Sequence, residues 1–342
     1  MLAAIWGSKP GTVVLAVAGL FLAGSVLAAV HHAEVIAHKV GEPFGSLVLA
    51  VAVTIIEVAL IVTLMISGGD ETSTLARDTV FAAVMITCTG IVGLSLLFAT
   101  LKHRVATFNA EGTASALATV ATLATLSLVL PTFTTSRPGP EFSPAQLAFA
   151  AVASLALYGL FVLVQTVRHR DYFLPAEPGP ADREQHAPPP TDRAAAQSLA
   201  LLVVALVAVV GLAKIESPAI EDAVASIGAP ASAVGVVIAL LVLLPETLAA
   251  VRNARRDRMQ TSFNLALGSA MASIGLTIPA IAIASIWLEG PLELGLGATQ
   301  MVLLAITVAV TSLTVLPGRA TLQEAGVHLV LFASFLFLAI NP

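Results

Sequence analysis

The chain has 342 residues, of which 57% are apolar and 11% charged, about half the charged share of roughly 25% usual in soluble domains. A soluble fold this apolar could not cover its own surface, so composition points to an integral membrane protein. A net charge of −5 leaves no basic footprint for nucleic acid, and a single cysteine, Cys88, excludes a disulfide framework or a cysteine-built metal site.

Ten apolar stretches are legible, each near the roughly 20 residues that cross about 30 Å of hydrocarbon. Residues 1–12 carry only Lys9, a poor start for a signal peptide, so 11–30 reads as a retained first helix. Stretches 44–66, 79–101, 113–133 and 145–167 follow it. The segment 168–195 is rich in proline and charge and reads as a mobile, polyproline-biased linker. Beyond it, 196–214, 230–251, 261–287, 294–316 and 321–340 complete the set. The expected fold is an all-α integral membrane protein with ten transmembrane helices. Its halves are 1–167 and 196–342.

Lys and Arg set the expected orientation. With the amino terminus outside, twelve of them fall on the cytoplasmic side, among them Lys39, Lys102, Arg168, Arg252, Arg258 and Arg319. Only Lys9, Arg77, Arg137 and Lys214 fall outside. The expectation is therefore a bacterial inner-membrane protein with both termini outside and the linker in the cytoplasm. The acidic residues Glu216, Glu221, Asp222, Glu289 and Glu293 are expected in solvated outer loops. His31, His32, Glu34 and His38 are expected in the first cytoplasmic turn, and His328 is given no role. The Arg252–Arg258 cluster reads as a topology signal first and an anionic-lipid contact second.

Two carboxylates interrupt the apolar pattern. Glu57 lies inside 45–67 (GSLVLAVAVTIIEVALIVTLMIS) and Glu246 inside 235–251 (GVVIALLVLLPETLAAV). A charged side chain at that depth costs about 2.5–3.5 kcal/mol on insertion scales, where leucine would pack without penalty. Both are therefore candidate functional groups.

The halves also resemble each other. Residues 79–96 (TVFAAVMITCTGIVGLSL) align without gaps on 261–278 (TSFNLALGSAMASIGLTI), with four identities: Thr79/Thr261, Phe81/Phe263, Gly93/Gly275 and Leu94/Leu276. Hydroxyls coincide at Thr87/Ser269 and Ser95/Thr277, and Glu57 answers Glu246 one helix upstream. Five spans per half is odd, so the second copy must enter from the opposite side. That is the inverted-repeat plan, with sites near the midplane between the repeats. Gly90, Gly93, Gly268 and Gly275 are expected at close helix contacts.

These residues resemble the calcium/cation antiporter superfamily, and within it the ChaA-like calcium/proton exchangers. The motifs carrying the likeness are 34–45 (EVIAHKVGEPFG) leading into Glu57, and 244–251 (LPETLAAV) followed by 264–279 (NLALGSAMASIGLTIP). The resemblance implies five-plus-five inverted repeats whose second and seventh helices supply the ion-binding carboxylates. The amide residues common before the repeat glutamate in that family are replaced here by Val53-Thr54-Ile55 and Val242-Leu243-Leu244.

Calcium takes six to eight hard oxygens, so two glutamates must be supplemented. Thr54 lies one turn before Glu57, and Ser269, Ser273 and Thr277 form a single stripe at i, i+4 and i+8. Thr87 is the matching hydroxyl of the first repeat. Pro245 breaks the seventh helix and frees a carbonyl near Leu241, which a bound cation could satisfy. Glu42 is a candidate cation-access group at the start of the second helix. The expected activity is Ca2+/H+ exchange, protons and cation sharing Glu57 and Glu246; Na+ or K+ in place of Ca2+ is the alternative. No resident cofactor is expected, the partners are membrane lipids and the transported ions, and homo-oligomerisation stays open. An intramembrane hydrolase would need a Ser/His or paired-Asp constellation that the spans lack. A channel would be expected to show symmetry by assembly rather than a repeat within one chain.

Overall fold

The computed structural model describes residues 12–41, 44–68, 73–174, 190–288 and 290–342. Among them ten helical spans run in sequence: α1 (Thr12–Val40), α2 (Phe44–Gly68), α3 (Leu75–His103), α4 (Ala110–Phe133) and α5 (Pro144–Arg168) form the first half. The second half holds α6 (Asp192–Ser226), α7 in two pieces (Ser232–Val242 and Leu244–Arg255), α8 (Met259–Ala284), α9 (Ala298–Val315) and α10 (Leu322–Ile340). The protein is an all-α membrane protein built from two inverted five-helix repeats. Glu42, Glu289 and most of the Pro-rich linker lie outside the described residues.

Two helices outrun their apolar stretches. Nothing between His31 and Val40 breaks a helix, so the expected first turn is the last part of α1, which stops at Gly41 with φ +75°. α6 starts on a Thr191 side-chain cap to the Ala194 N–H and continues through Pro218 to Ser226. At 35 residues it is about 52 Å long, more than the hydrocarbon requires. Glu216, Glu221 and Asp222 therefore sit on a helix rather than in an outer loop. Glu216 is buried there beside Gly19 of α1. α1 packs along α6, and the two flank α2.

The other helices surround α3 and α8, the most buried spans. The repeat-equivalent glycines do equivalent jobs on them. A Cβ on Gly275 of α8 would stand 2.7 Å from the Tyr158 Cβ of α5, and one on Gly93 of α3 would stand 3.0 Å from Leu329 of α10. Each glycine thus lets the last helix of the other half close onto the third helix of its own. Gly90 does the same against Phe332, while Gly268 meets nothing within 4 Å and faces open space. α3 also carries a π-helical turn, Ile86–Ile91, a geometry that shifts the carbonyl ladder. His328 of α10, fully buried, bonds Cys88 O through Nδ1 at 2.9 Å and Thr314 through Nε2 at 3.1 Å. It therefore pins α10 to that turn.

The two ends of the bundle show the inversion again. At one end, β1 (Val105–Thr107) after α3 pairs antiparallel with β2 (Arg319–Thr321) before α10. At the other, a bridge joins Glu141 before α5 to Glu293 after α8. Exchanging the repeats turns the first pairing into the second. The β1–β2 end also holds Asp257, bonded by Lys102 at 2.7 Å and His103 at 2.6 Å. Partial burial pushes the Asp257 carboxyl up, but the bonds from these two neighbours outweigh it and hold the group below the usual range.

Candidate functional site

The site is assembled where α2, α7 and α8 meet. Glu57 sits in an unbroken stretch of α2 with 4% of its surface exposed. The Ser273 hydroxyl of α8 donates to its Oε1 at 2.6 Å. Ser273 could have satisfied itself on its own helix, as Thr87 does on Ala83 O at 2.8 Å. It bonds across the helix interface instead, tying α8 to the Glu57 carboxyl. Thr277, one turn further along α8, has a buried hydroxyl that faces Glu57 without meeting hydrogen-bond geometry.

Glu246 is held differently. Pro245 lies in the first turn of the second piece of α7, and the two pieces meet at Leu243 with a bend of 50°. A break here exposes the amide dipoles of a new helix start, and Glu246 sits in that first turn, where a negative charge is favoured. Its own backbone N–H lies against the carboxylate, while Oε2 is buried without a partner. The charge of Glu57, and after it that of Glu34 on the extended end of α1, also acts on it.

Both carboxylates line one cavity of about 250 Å³, together with Thr54, Ser269 and Ser273. The structure thus brings together five of the residues singled out above. It does not bring in Thr87, whose hydroxyl is spent on its own helix. Sequence reasoning missed Tyr158, Gln165, Thr261 and Asn264, which complete the polar lining. The signal for Asn264 was an amide in an apolar helix. Its side chain is fixed by Phe173 O at 2.7 Å and by Gln260 at 2.9 Å. Tyr158 gave only the weak signal of one hydroxyl-bearing ring in a span that also holds Phe149 and Phe161.

The cavity has a direction. Leu49 and Ala50 of α2, Gln165 of α5 and Thr261 of α8 carry its lining from the carboxylates toward the β1–β2 end. On the opposite side Leu60, Ile61 and Leu64 of α2 are all buried. The arrangement offers two acidic oxygen pairs and adjacent hydroxyls to a hard cation, accessible from one end.

The family model described as sodium/calcium exchanger protein matches residues 10–167 and 197–341, nearly the whole chain. The chain belongs to the sodium/calcium exchanger family. It is 47% identical to the putative ionic transporter y4hA of Sinorhizobium fredii over 325 residues, covering 95% of this chain and 88% of that protein. It is 34% identical to the sodium-potassium/proton antiporter ChaA of Escherichia coli, covering 97% and 91%. The solved H+/Ca2+ exchanger CAX superposes with a TM-score of 0.70 at 19% identity, over 99% of this chain and 89% of that one. Members of this family are multi-pass membrane transporters, so this chain is a transporter rather than a catalyst.

Proposed function

We propose that the protein is a secondary cation/proton antiporter of a bacterial inner membrane, exchanging Ca2+ for H+ through Glu57 and Glu246. The observation carrying this reading is that both intramembrane carboxylates line one cavity with Thr54, Ser269 and Ser273. Two ionised glutamates neutralise a divalent ion and supply up to four of its oxygens; hydroxyls, water and backbone carbonyls supply the rest. Two protons neutralise the same pair when the cation leaves. With both carboxylates charged and no ion bound, the site would hold two uncompensated charges in low dielectric. That form is too costly to reorient, so the protein crosses between its two states carrying either protons or cation. In this reading Glu42 is the cation-access group. The twelve-to-four distribution of Lys and Arg supports placing the β1–β2 end in the cytoplasm and both termini outside.

A second reading, Na+ or K+ in place of Ca2+, is favoured by the likeness to the sodium-potassium/proton antiporter of Escherichia coli. Proton flux in proteoliposomes against each cation in turn distinguishes the two. Glu57→Gln and Glu246→Gln should each abolish exchange in folded protein, because each removes charge and proton together while keeping shape. Substantial exchange by either variant sinks the assignment.

A further inference from the structure

Thr79, one turn into α3, is fully buried and its hydroxyl has no hydrogen-bond partner. Burying such a group without a partner is unfavourable. Three other threonines of α3 avoid this by bonding the carbonyl four residues back: Thr87, Thr89 and Thr100. The orphan hydroxyl therefore asks for a reason.

Its counterpart in the second repeat supplies one. Thr79 aligns with Thr261, and Thr261 lines the open cavity at the β1–β2 end. In an inverted repeat, the face one copy shows to the cavity open at one end is shown by the other copy when the opposite end opens. Thr79 stands where that opposite end is shut. A Cβ on Gly235 of α7 would lie 2.8 Å from Thr79 N and 2.9 Å from Asp78 C, so backbone meets backbone across the seam. Just beyond the seam is a second cavity of about 300 Å³, lined by Leu64 of α2, Leu75 of α3, Val234 of α7, and Glu221 and Asp222 of α6. The same three helices, α2, α3 and α7, thus line cavities approaching the carboxylates from both ends. From Glu57 to Leu64 is seven residues, about 10 Å of helix.

We propose that Thr79 lines the cation path of the opposite-facing state, kept dry here by the Gly235 seam and hydrated when the seam opens. The inference rests on the alternating-access reading above. It is tested in Cys88→Ala protein carrying either Thr79→Cys or Thr261→Cys, in vesicles, with a membrane-impermeant maleimide added from each side. Thr79→Cys should react only from the side opposite to Thr261→Cys. Adding Gly235→Val, whose side chain the closed seam cannot accept, should speed labelling at Thr79→Cys at least tenfold and slow it at Thr261→Cys. If the valine variant does not fold, Gly235→Ala serves, with an expected threefold change. Thr79→Cys that stays unlabelled in folded protein with an altered seam, or that reacts from the Thr261 side, overturns the inference. Labelling requires no transported ion, so it is scored independently of the Glu57→Gln flux result that judges the antiport reading.

Discussion

At the residue scale, the contact that most shapes the site is the bond from Ser273 to Glu57. Removing it by Ser273→Ala leaves a buried carboxylate oxygen without its donor and the cation without one hydroxyl. Hydrogen bonds to charged groups contribute about 1.5–3 kcal/mol, so apparent cation affinity should fall roughly 10- to 100-fold while the fold survives. Concentration-dependent flux measures it, and an unchanged affinity would show that Ser273 only packs. Ser273→Thr, which keeps the hydroxyl, should retain most of the affinity. Glu246 responds to a different lever. Its environment is the new helix start that Pro245 creates, so restoring a continuous α7 would remove dipoles rather than a single bond.

At the scale of elements, the paired glycines make a quantitative statement about helix packing. Gly275→Ala drives a methyl to 2.7 Å from the Tyr158 Cβ, on backbone-anchored atoms that cannot swing aside. Overpacking of this kind destabilises by about 1–3 kcal/mol, and the displaced Tyr158 also lines the cavity, so turnover should drop as well. Gly93→Ala meets Leu329 at 3.0 Å and the anchored His328 Cβ at 3.1 Å, longer than the 2.7 Å contact at Gly275, and should lose less. Thermal unfolding in detergent should rank them in that order. The Lys102–His103–Asp257 tether at the β1–β2 end has a pH signature of its own. A carboxyl held low in the folded state stabilises above its unfolded pKa, about 3.9, and that contribution is lost as pH falls through the folded value. Asp257→Asn should therefore lower stability at pH 7, and the difference should begin to shrink near pH 4 and vanish only below the depressed folded value. Half of the Asp257 side chain is exposed, so the loss should stay under about 1 kcal/mol.

At the scale of the whole molecule, competition between protons and cation for one pair of carboxylates ties affinity to pH. Linkage requires the slope of log affinity against pH to equal the number of protons released on binding. A divalent ion displacing both protons should give a limb approaching a slope of two, and a monovalent ion displacing one should give one. Binding calorimetry in buffers of different ionisation enthalpy counts the same protons independently. An affinity flat with pH in folded protein would separate the carboxylates from the proton site. The slope also decides between calcium and the monovalent ions, which the oxygen count at the site leaves open.

Composition and hydropathy were enough to determine a ten-helix membrane protein, because a bilayer core admits few alternatives to apolar helices. The repeat was legible for a related reason. Gly93 and Gly275 stand at positions where a larger side chain would crowd the facing helix, so the two copies kept them in step. Glu57 and Glu246 announced themselves through the penalty of burying charge in hydrocarbon. What the chain could not show by itself depended on neighbours distant in sequence. Helix ends were misjudged at α1 and α6 because hydropathy registers the membrane boundary, while a helix ends only where its backbone hydrogen bonds do. Whether a hydroxyl bonds its own helix or a partner is decided by what faces it. Ser273 therefore joined the site while Thr87, its like in chemistry, turned back on α3. His328 looked idle until the fold set it against the carbonyl of Cys88. Which end of the cavity is open is a property of how two similar halves are packed in one state, and only the tertiary structure decides it.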